Sequence, residues 1–209
     1  MTDTKENILL TALRLFARDG YEAVSVSAIA GNLGMTKGAL YKHYKNKRDI
    51  FDSIVERMYQ MDYERAKKYE VPEETFEKMP LSYRNTSMDK IKVFVEAQFN
   101  FWTEDEFACN FRKMLTLEQY RNPEMADLYQ KCLVGGPVSY MEDLFREMIE
   151  QGIWNESNPK QLALEFYAPL YLLINMSDAS SNRKKISNLL TAHIERFVKK
   201  NAAERSQKE

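Results

Sequence analysis

The chain has 209 residues, 44% of them apolar, and a formal net charge of −1, enough to bury one good-sized domain, or a small domain attached to a larger one, without covalent staples. Two cysteines, Cys109 and Cys132, and two histidines, His43 and His193, show no metal-ligand spacing and make a disulfide scaffold or a metal centre unexpected. The amphipathic amino-terminal stretch has no signal-like apolar run, and no segment reaches the ~18 to 20 apolar residues of a membrane span, so a soluble cytoplasmic protein with no membrane partner is expected.

Alternating β-branched runs are scarce and apolar residues recur at spacings of three and four, which predicts an all-α fold. A first helix from about Lys5 to Arg18 buries Ile8, Leu9, Ala12, Leu15 and Phe16, and Gly20 follows its end. Ser25 or Ser27 can cap a short second helix whose inner face is Ile29, Ala30 and Leu33 and which stops at Gly34. Thr36 caps a third helix to about Tyr44. Asn46 with Asp49 caps a fourth, with Ile50, Phe51, Ile54, Val55 and Met58 on one face. The turn formers and two prolines between Val71 and Ser87 predict a boundary or a long connection.

Beyond it, Ile91, Phe94, Val95, Gln98, Phe99 and Trp102 form a helical stripe, and "EFACNFRKMLTLEQY" forms another. Pro123 suits the first turn of a further helix, which Gly135-Gly136-Pro137 is expected to break or bend. Met141, Leu144, Phe145 and Met148 continue the period to a stop at Gly152. Pro159 opens a helix to about Asp178, with a kink expected at Pro169. Ile186, Leu189, Leu190, His193 and Phe197 mark a last helix, and the polar tail "KKNAAERSQKE" is expected to fray.

Charge is unevenly spread. Residues 1 to 50 carry eight Lys or Arg against five Asp or Glu, leaving the rest of the chain at −4. Between Glu22 and Asp49 there is no acid, while Lys37, Lys42, Lys45, Lys47 and Arg48 all fall inside that window, so a positive field is concentrated there. The two short helices joined through "LGMT" have the spacing of a helix-turn-helix, whose second helix enters the DNA major groove. Helical geometry puts Leu40 and Tyr44 inward and leaves Lys37, Tyr41, Lys42 and His43 outward or at the edge. Gly38 costs roughly 1 kcal/mol of helix propensity relative to Ala, and close approach to a DNA strand is one reason for its presence.

On these residues the chain resembles the DNA-binding domain of TetR/AcrR-family transcriptional regulators. The resemblance rests on Phe16, Gly20, Ile29-Ala30, Gly34, Lys37-Gly38, Leu40-Tyr41, His43-Tyr44 and Lys47 and covers about residues 5 to 55. It implies a helix-turn-helix domain over residues 1–48, with the motif itself at about 25–44, joined to a helical regulatory, ligand-binding and dimerisation domain over 49–209. It further implies a homodimer on a palindromic double-stranded operator, probed by Thr36, Lys37, Gly38, Tyr41 and His43, with Lys47 on a phosphate and Ser25 as the usual cap of the second helix. Ser27 and Ala28 depart from the family pattern, in which an arginine and an acid are common.

From Glu96 to Tyr171 the chain is rich in large adaptable side chains, which suit a partly apolar pocket for a small effector. Trp102, Met114, Tyr140, Tyr167 and Tyr171 are candidate lining residues, with Gln98 and Asn110 as polar groups that could orient a ligand. "PKQLALEFYAPLYLLINMSD" is apolar nearly all round and must bury two faces. One can meet a second copy, together with Ile186, Leu189, Leu190, His193 and Phe197 of the last helix. The leading expectation is an effector-released repressor, with a DNA-organising protein lacking a small-molecule sensor as the alternative. No nucleophile with a neighbouring base and no Gly-rich phosphate loop suggests an enzyme or a bound cofactor.

Overall fold

The structure is a computed structural model in which residues 3–180 and 182–203 are described. In chain order the helices are α1 Thr4–Asp19, α2 Val26–Asn32, α3 Lys37–Leu40, α4 Lys47–Lys68, α5 Pro80–Arg84, α6 Met88–Glu104, α7 Glu106–Glu118, α8 Pro123–Leu133, α9 Gly135–Glu150, α10 Pro159–Ser177 and α11 Arg183–Asn201. The only extended pairing among the described residues is an isolated bridge between Trp154 and Ala202. The class is all-α, as the three-and-four spacing predicts. Most of the polar tail, residues 204–209, lies outside the described residues.

Capping chemistry sets most boundaries. Asp3, Ser25, Thr36, Asp105 and Asn158 each accept a first-turn backbone N–H through the side chain, satisfying donors that no helix can pair internally. α2 ends where Gly34 N donates to the Gly31 carbonyl and Met35 N to the Ala30 carbonyl. Gly34 stands at φ +64°, which glycine adopts without steric penalty. At α4, Asn46 Oδ1 accepts from Asp49 N at 2.9 Å while Asp49 Oδ2 accepts from Lys45 N at 2.8 Å, so each caps the other's neighbourhood.

Two elements differ from the periodic reading. α3 ends at Leu40, and Tyr41, Lys42 and His43 form a turn closed by Lys42 N on the Ala39 carbonyl and His43 N on the Leu40 carbonyl. Tyr44 N still reaches the Leu40 carbonyl at 3.2 Å, and its side chain is buried with only 2% exposed. The glycine pair opens α9 instead of bending it: the break falls at Val134, with φ −129° and ψ −87°. Pro137 then sits in the first turn, where an N–H has no helical partner to lose. Pro169 lies inside α10, which continues from Pro159 to Ser177.

The described residues pack as two units. The first holds the residues up to Glu64 together with Glu104–Tyr129. In it α1 lies along α7 and against α2, and α2 lies against α3. Ile8, Leu13, Phe16, Ile29, Leu40, Ile50, Phe51 and Ile54 are buried there, each contributing on the order of 1.5–3 kcal/mol by leaving water. The second unit holds Arg65–Thr103 and the residues from Gln130 onward. Here α10 packs on α9 and α11, and α5 on α9. Its aromatic centre stacks Phe145 on Trp154 at 4.5 Å and sets Phe166 at 4.9 Å from Phe197. The connection before α6 is pinned by Tyr140 and Tyr83, whose hydroxyls donate to the carbonyls of Pro72 and Glu74 at 3.1 and 3.0 Å. No helix among the described residues is long and apolar enough to cross a membrane.

Candidate nucleic-acid interface

The first unit presents the helix-turn-helix residues in two layers. Ile29, Ala30, Leu40 and Tyr44 are buried and Leu33 is half-buried, whereas Ser25, Thr36, Lys37, Gly38, Tyr41 and Lys42 are exposed and His43 is half-buried. Ser25 Oγ accepts from Ala28 N at 3.1 Å and Thr36 Oγ1 from Ala39 N at 3.2 Å, so both cap residues are tied to their helices. Lys37 Nζ stands 5.6 Å from the centre of the Tyr41 ring, a pairing across one turn that holds an ammonium and a phenol side by side on the outer face. A Cβ added at Gly38 would meet only Thr36 Oγ1, at 4.0 Å. Among the described residues, nothing therefore requires glycine there.

Tyr44 anchors the end of this element. Its hydroxyl donates to the Lys5 carbonyl at 3.3 Å, and the Lys5 ammonium stands 5.3 Å from its ring centre. Burial pushes the phenol up to about 12, with the negative charges of Glu6, Asp49 and Asp3 adding to the shift. The group therefore stays a neutral donor throughout the physiological range. Lys47 turns inward: its Nζ donates to the Tyr21 carbonyl at 2.9 Å and the Glu22 carbonyl at 3.4 Å.

Side chains far away in sequence brace the same unit. Arg14 Nε meets Glu106 Oε1 at 2.6 Å, Arg57 pairs with Glu6, and the Arg57 guanidinium stands 4.6 Å from the Phe107 ring centre. Arg48 grips Glu124 through two bonds of 2.5 and 2.6 Å and reaches Asp52 at 2.7 Å. The hydrogen bonds that Arg48 donates to Glu124 and Asp52 raise its pKa, and Arg48 in turn holds the Glu124 carboxyl below its ordinary range. Exposed pairs of this kind contribute only about 0–1 kcal/mol each, so they orient α7 and the start of α8 against the DNA-binding helices more than they hold them. Sequence reasoning missed the long-range pairs of Arg57, Arg48 and Arg14 because the partners are 51, 76 and 92 residues apart, and no local spacing announces such a pair.

The candidate effector residues fall in both units. Asn110, half-buried, and Met114, buried, lie on α7 in the first. Gln98, Trp102, Tyr140, Tyr167 and Tyr171 lie in the second. There Gln98 Oε1 accepts from Arg65 Nη2 at 2.9 Å, and that guanidinium lies 3.4 Å from the Phe101 ring centre. Trp102 is buried with its ring 5.2 Å from that of Phe101. The Tyr167 hydroxyl donates to the Leu133 carbonyl at 2.7 Å, and its ring is 6.5 Å from that of Tyr171. Tyr140 packs against Tyr83 and Phe94. Tyr140 and Tyr167 are thus bonded within the second unit's own packing. His193, expected as a packing residue, is half-buried with Nε2 3.0 Å from the Phe166 carbonyl. Its ring lies among Phe166 and Phe197.

The sequence profile described as bacterial regulatory proteins, tetR family, matches residues 8–54, which span α1 to the first turns of α4. The HTH-type transcriptional regulator AcrR of Shigella flexneri is 44% identical over 54 residues, covering 26% of this chain and 25% of that protein. The chain thus spans about a quarter of the length of the curated relatives it matches. Over nearly the whole chain the fold is similar to SmeT, the repressor of the Stenotrophomonas maltophilia multidrug efflux pump SmeDEF, with a TM-score of 0.66 at 19% identity, covering 98% of this chain and 93% of that one. A SmeT–triclosan complex gives a TM-score of 0.68 at 19% identity, covering 97% and 93%. Residues 8–54 thus match the amino-terminal domain of the tetR family of bacterial regulatory proteins, and over the rest of the chain the likeness is one of fold.

Proposed function

We propose that the chain is a sequence-specific, dimeric DNA-binding repressor released from a palindromic operator by a small, partly apolar effector. The observation that carries the reading is the helix-turn-helix whose core side is filled by Leu40 and Tyr44 while Thr36, Lys37, Gly38, Tyr41 and Lys42 are exposed in an acid-free stretch. Residues 1–48 supply the DNA-binding domain and 49–209 the regulatory and dimerisation domain. Lys37 is the residue assigned to base edges, Tyr41, Lys42 and His43 to the backbone, and Gly38 to the closest approach. The triclosan complex of a protein with the same fold supports a small-molecule effector here. Because α7 lies along α1, it joins α4 as a path by which effector binding could bias the recognition element.

The test is to select bound DNA from a random library with the purified protein and then screen compounds for release of the selected sequence. Lys37→Ala is expected to lower the preference for that sequence over random DNA by 1–3 kcal/mol, roughly 5- to 150-fold, as loss of a base contact does. Lys42→Ala is expected to weaken both DNAs alike and to flatten the slope of log K against log salt by about 0.9. Equal loss on both DNAs for the two variants would contradict this division of roles. Saturating operator should also lower effector affinity by the same factor by which effector lowers operator affinity, since the coupling free energy is shared. An effector affinity indifferent to operator would refute the two-state account.

A further inference from the structure

α9 carries one buried carboxylate that its own unit leaves unanswered. Glu147 is 9% exposed, and among the described residues its carboxylate has neither a hydrogen-bond nor an ion-pair partner. The neighbouring acids differ: Asp143 and Glu142 hold Arg146 at 2.6 and 3.1 Å, so that guanidinium is already taken. Glu147 lies seven residues beyond Tyr140 and four before Gln151, which puts the three on one face of α9. That face looks onto α5 and α6 within the second unit. Gln151 Nε2 donates to the Arg84 carbonyl at 2.9 Å, and the Tyr140 ring stands 5.5 Å from that of Tyr83 and 6.3 Å from that of Phe94. Arg84, the one basic residue of α5, is exposed and makes no ion pair with Glu147. Taking a carboxylate out of water with no partner is among the costliest arrangements a fold can keep, and an isolated one calls for an ion or a ligand group to meet it.

We infer that Glu147 receives the cationic head of the effector, an ammonium or amidinium on an apolar body, and that this body lies along the same face of α9 toward Tyr140. The inference rests on the small-effector reading above and adds to it the sign of the ligand's charge. Seven residues of helix separate Glu147 from Tyr140 by about 10 Å, a length that a four-carbon chain between an ammonium and an aryl ring covers. The rings of Tyr140, Tyr83 and Phe94 offer such a body apolar and π surface at its far end. Between Glu142 and Glu150 there are four acids against one base, so the local potential favours a cation and repels an anionic ligand.

Two compounds with one apolar body, 4-phenylbutylammonium and 4-phenylbutanol, test this. They are titrated calorimetrically into full-length wild type, Glu147→Gln and Glu150→Gln, the last altering an exposed acid on another side of α9. Wild type should bind the ammonium roughly tenfold or more tightly than the alcohol, as a charge-assisted bond to a buried carboxylate requires. Glu147→Gln should lose that preference while keeping its affinity for the alcohol, and Glu150→Gln should behave as wild type. Without ligand, Glu147→Gln should have a higher Tm than wild type, because it removes a buried charge that has no partner. Saturating ammonium compound should raise the Tm of wild type and leave that of Glu147→Gln nearly unmoved. Wild type that takes the two compounds alike, or a Glu147→Gln protein that keeps the preference, overturns the inference. A lowered Tm in ligand-free Glu147→Gln overturns it equally, since the carboxylate would then serve the fold itself. Release of the selected operator by a neutral compound, with no preference for the ammonium, leaves the effector reading standing and refutes the cation site. Operator that no compound releases refutes the effector reading instead, with the calorimetric preference still deciding whether Glu147 holds a cation.

Discussion

Gly136→Ala lowers the thermal midpoint by roughly 6–12 °C, the equivalent of about 3 kcal/mol in a chain of this size, while Gly135→Ala next to it leaves the midpoint nearly unchanged. The difference lies in what a methyl group would touch. At Gly136 an added Cβ falls 1.9 Å from the carbonyl oxygen of Lys131 and 2.9 Å from its carbonyl carbon. Both are backbone atoms of α8, so no rotamer change can relieve the overlap, and α8 and α9 must separate. At Gly135 the nearest atoms are Gln130 Oε1 at 3.7 Å and the Gln130 carbonyl oxygen at 3.8 Å, ordinary contact distances. Alanine gains up to about 1 kcal/mol over glycine in a helix, less in a first turn, which partly offsets the strain at 136 and makes 135 neutral or slightly favourable. Thermal unfolding of the two variants decides it, and equal midpoints would mean that α8 and α9 do not approach so closely.

The same glycine pair shows what a sequence does and does not reveal. Glycine and proline announce a helix interruption there, and one exists at Val134. Whether the run breaks a helix or opens one depends on how near the preceding helix end lies, which no local pattern encodes. The amino-terminal motif is legible for the opposite reason: its cap residues and its glycine stop are set by neighbours within a few positions, and the four-residue spacing of Leu40 and Tyr44 marks the face that is buried. The recognition helix is nonetheless shorter than its period suggests: after Leu40 the bonds of Lys42 N and His43 N tighten to three residues, while Tyr44 N keeps a four-residue bond to the Leu40 carbonyl. Lys47 illustrates the limit most sharply. Its place in a basic run suggests a solvated or DNA-facing charge, yet its partners are the carbonyls of Tyr21 and Glu22, reached only once the chain has folded back.

The last helix differs from its periodic reading only in part. Of Ile186, Leu189, Leu190, His193 and Phe197, expected at a subunit interface, Ile186, Leu190 and Phe197 are buried against their own unit, His193 is half-buried and Leu189 is exposed, and α11 packs on α10. A stripe that repeats every three or four residues marks a buried face without saying whose core buries it. The apolar side chains left over are the informative ones. Leu164, Leu172 and Met176 on α10 are 44%, 58% and 46% exposed, and Leu189 on α11 is 48% exposed. The α10 residues fall on multiples of four, with Ala168 exposed between them, so they line one face of the helix.

That face sets the second large prediction: Leu172→Glu converts a dimer into a monomer and lowers operator affinity about a thousandfold or more. In a twofold dimer built on α10 and α11 a single substitution appears twice, placing two carboxylates where apolar surface was to be removed from water. Burying even one unpaired carboxylate costs several kcal/mol, enough to shift assembly by orders of magnitude. Specific sites are bound at about 10⁻⁸ to 10⁻¹¹ M by proteins that engage both half-sites. With one half-site engaged, about half of that free energy remains, which corresponds to a Kd in the range of roughly 10⁻⁴ to 10⁻⁶ M, near that of non-specific binding. The fold of each subunit should persist, because Leu172 is more than half exposed before assembly. Tyr120→Glu is the control: Tyr120 is 89% exposed but lies just beyond α7, outside this stripe, and it should leave both mass and affinity unchanged. Native mass measurement and operator titration read both effects. A Leu172→Glu protein that remains dimeric would move the interface away from this face, and one that is monomeric yet binds the operator at wild-type affinity would break the link between twofold symmetry and operator recognition.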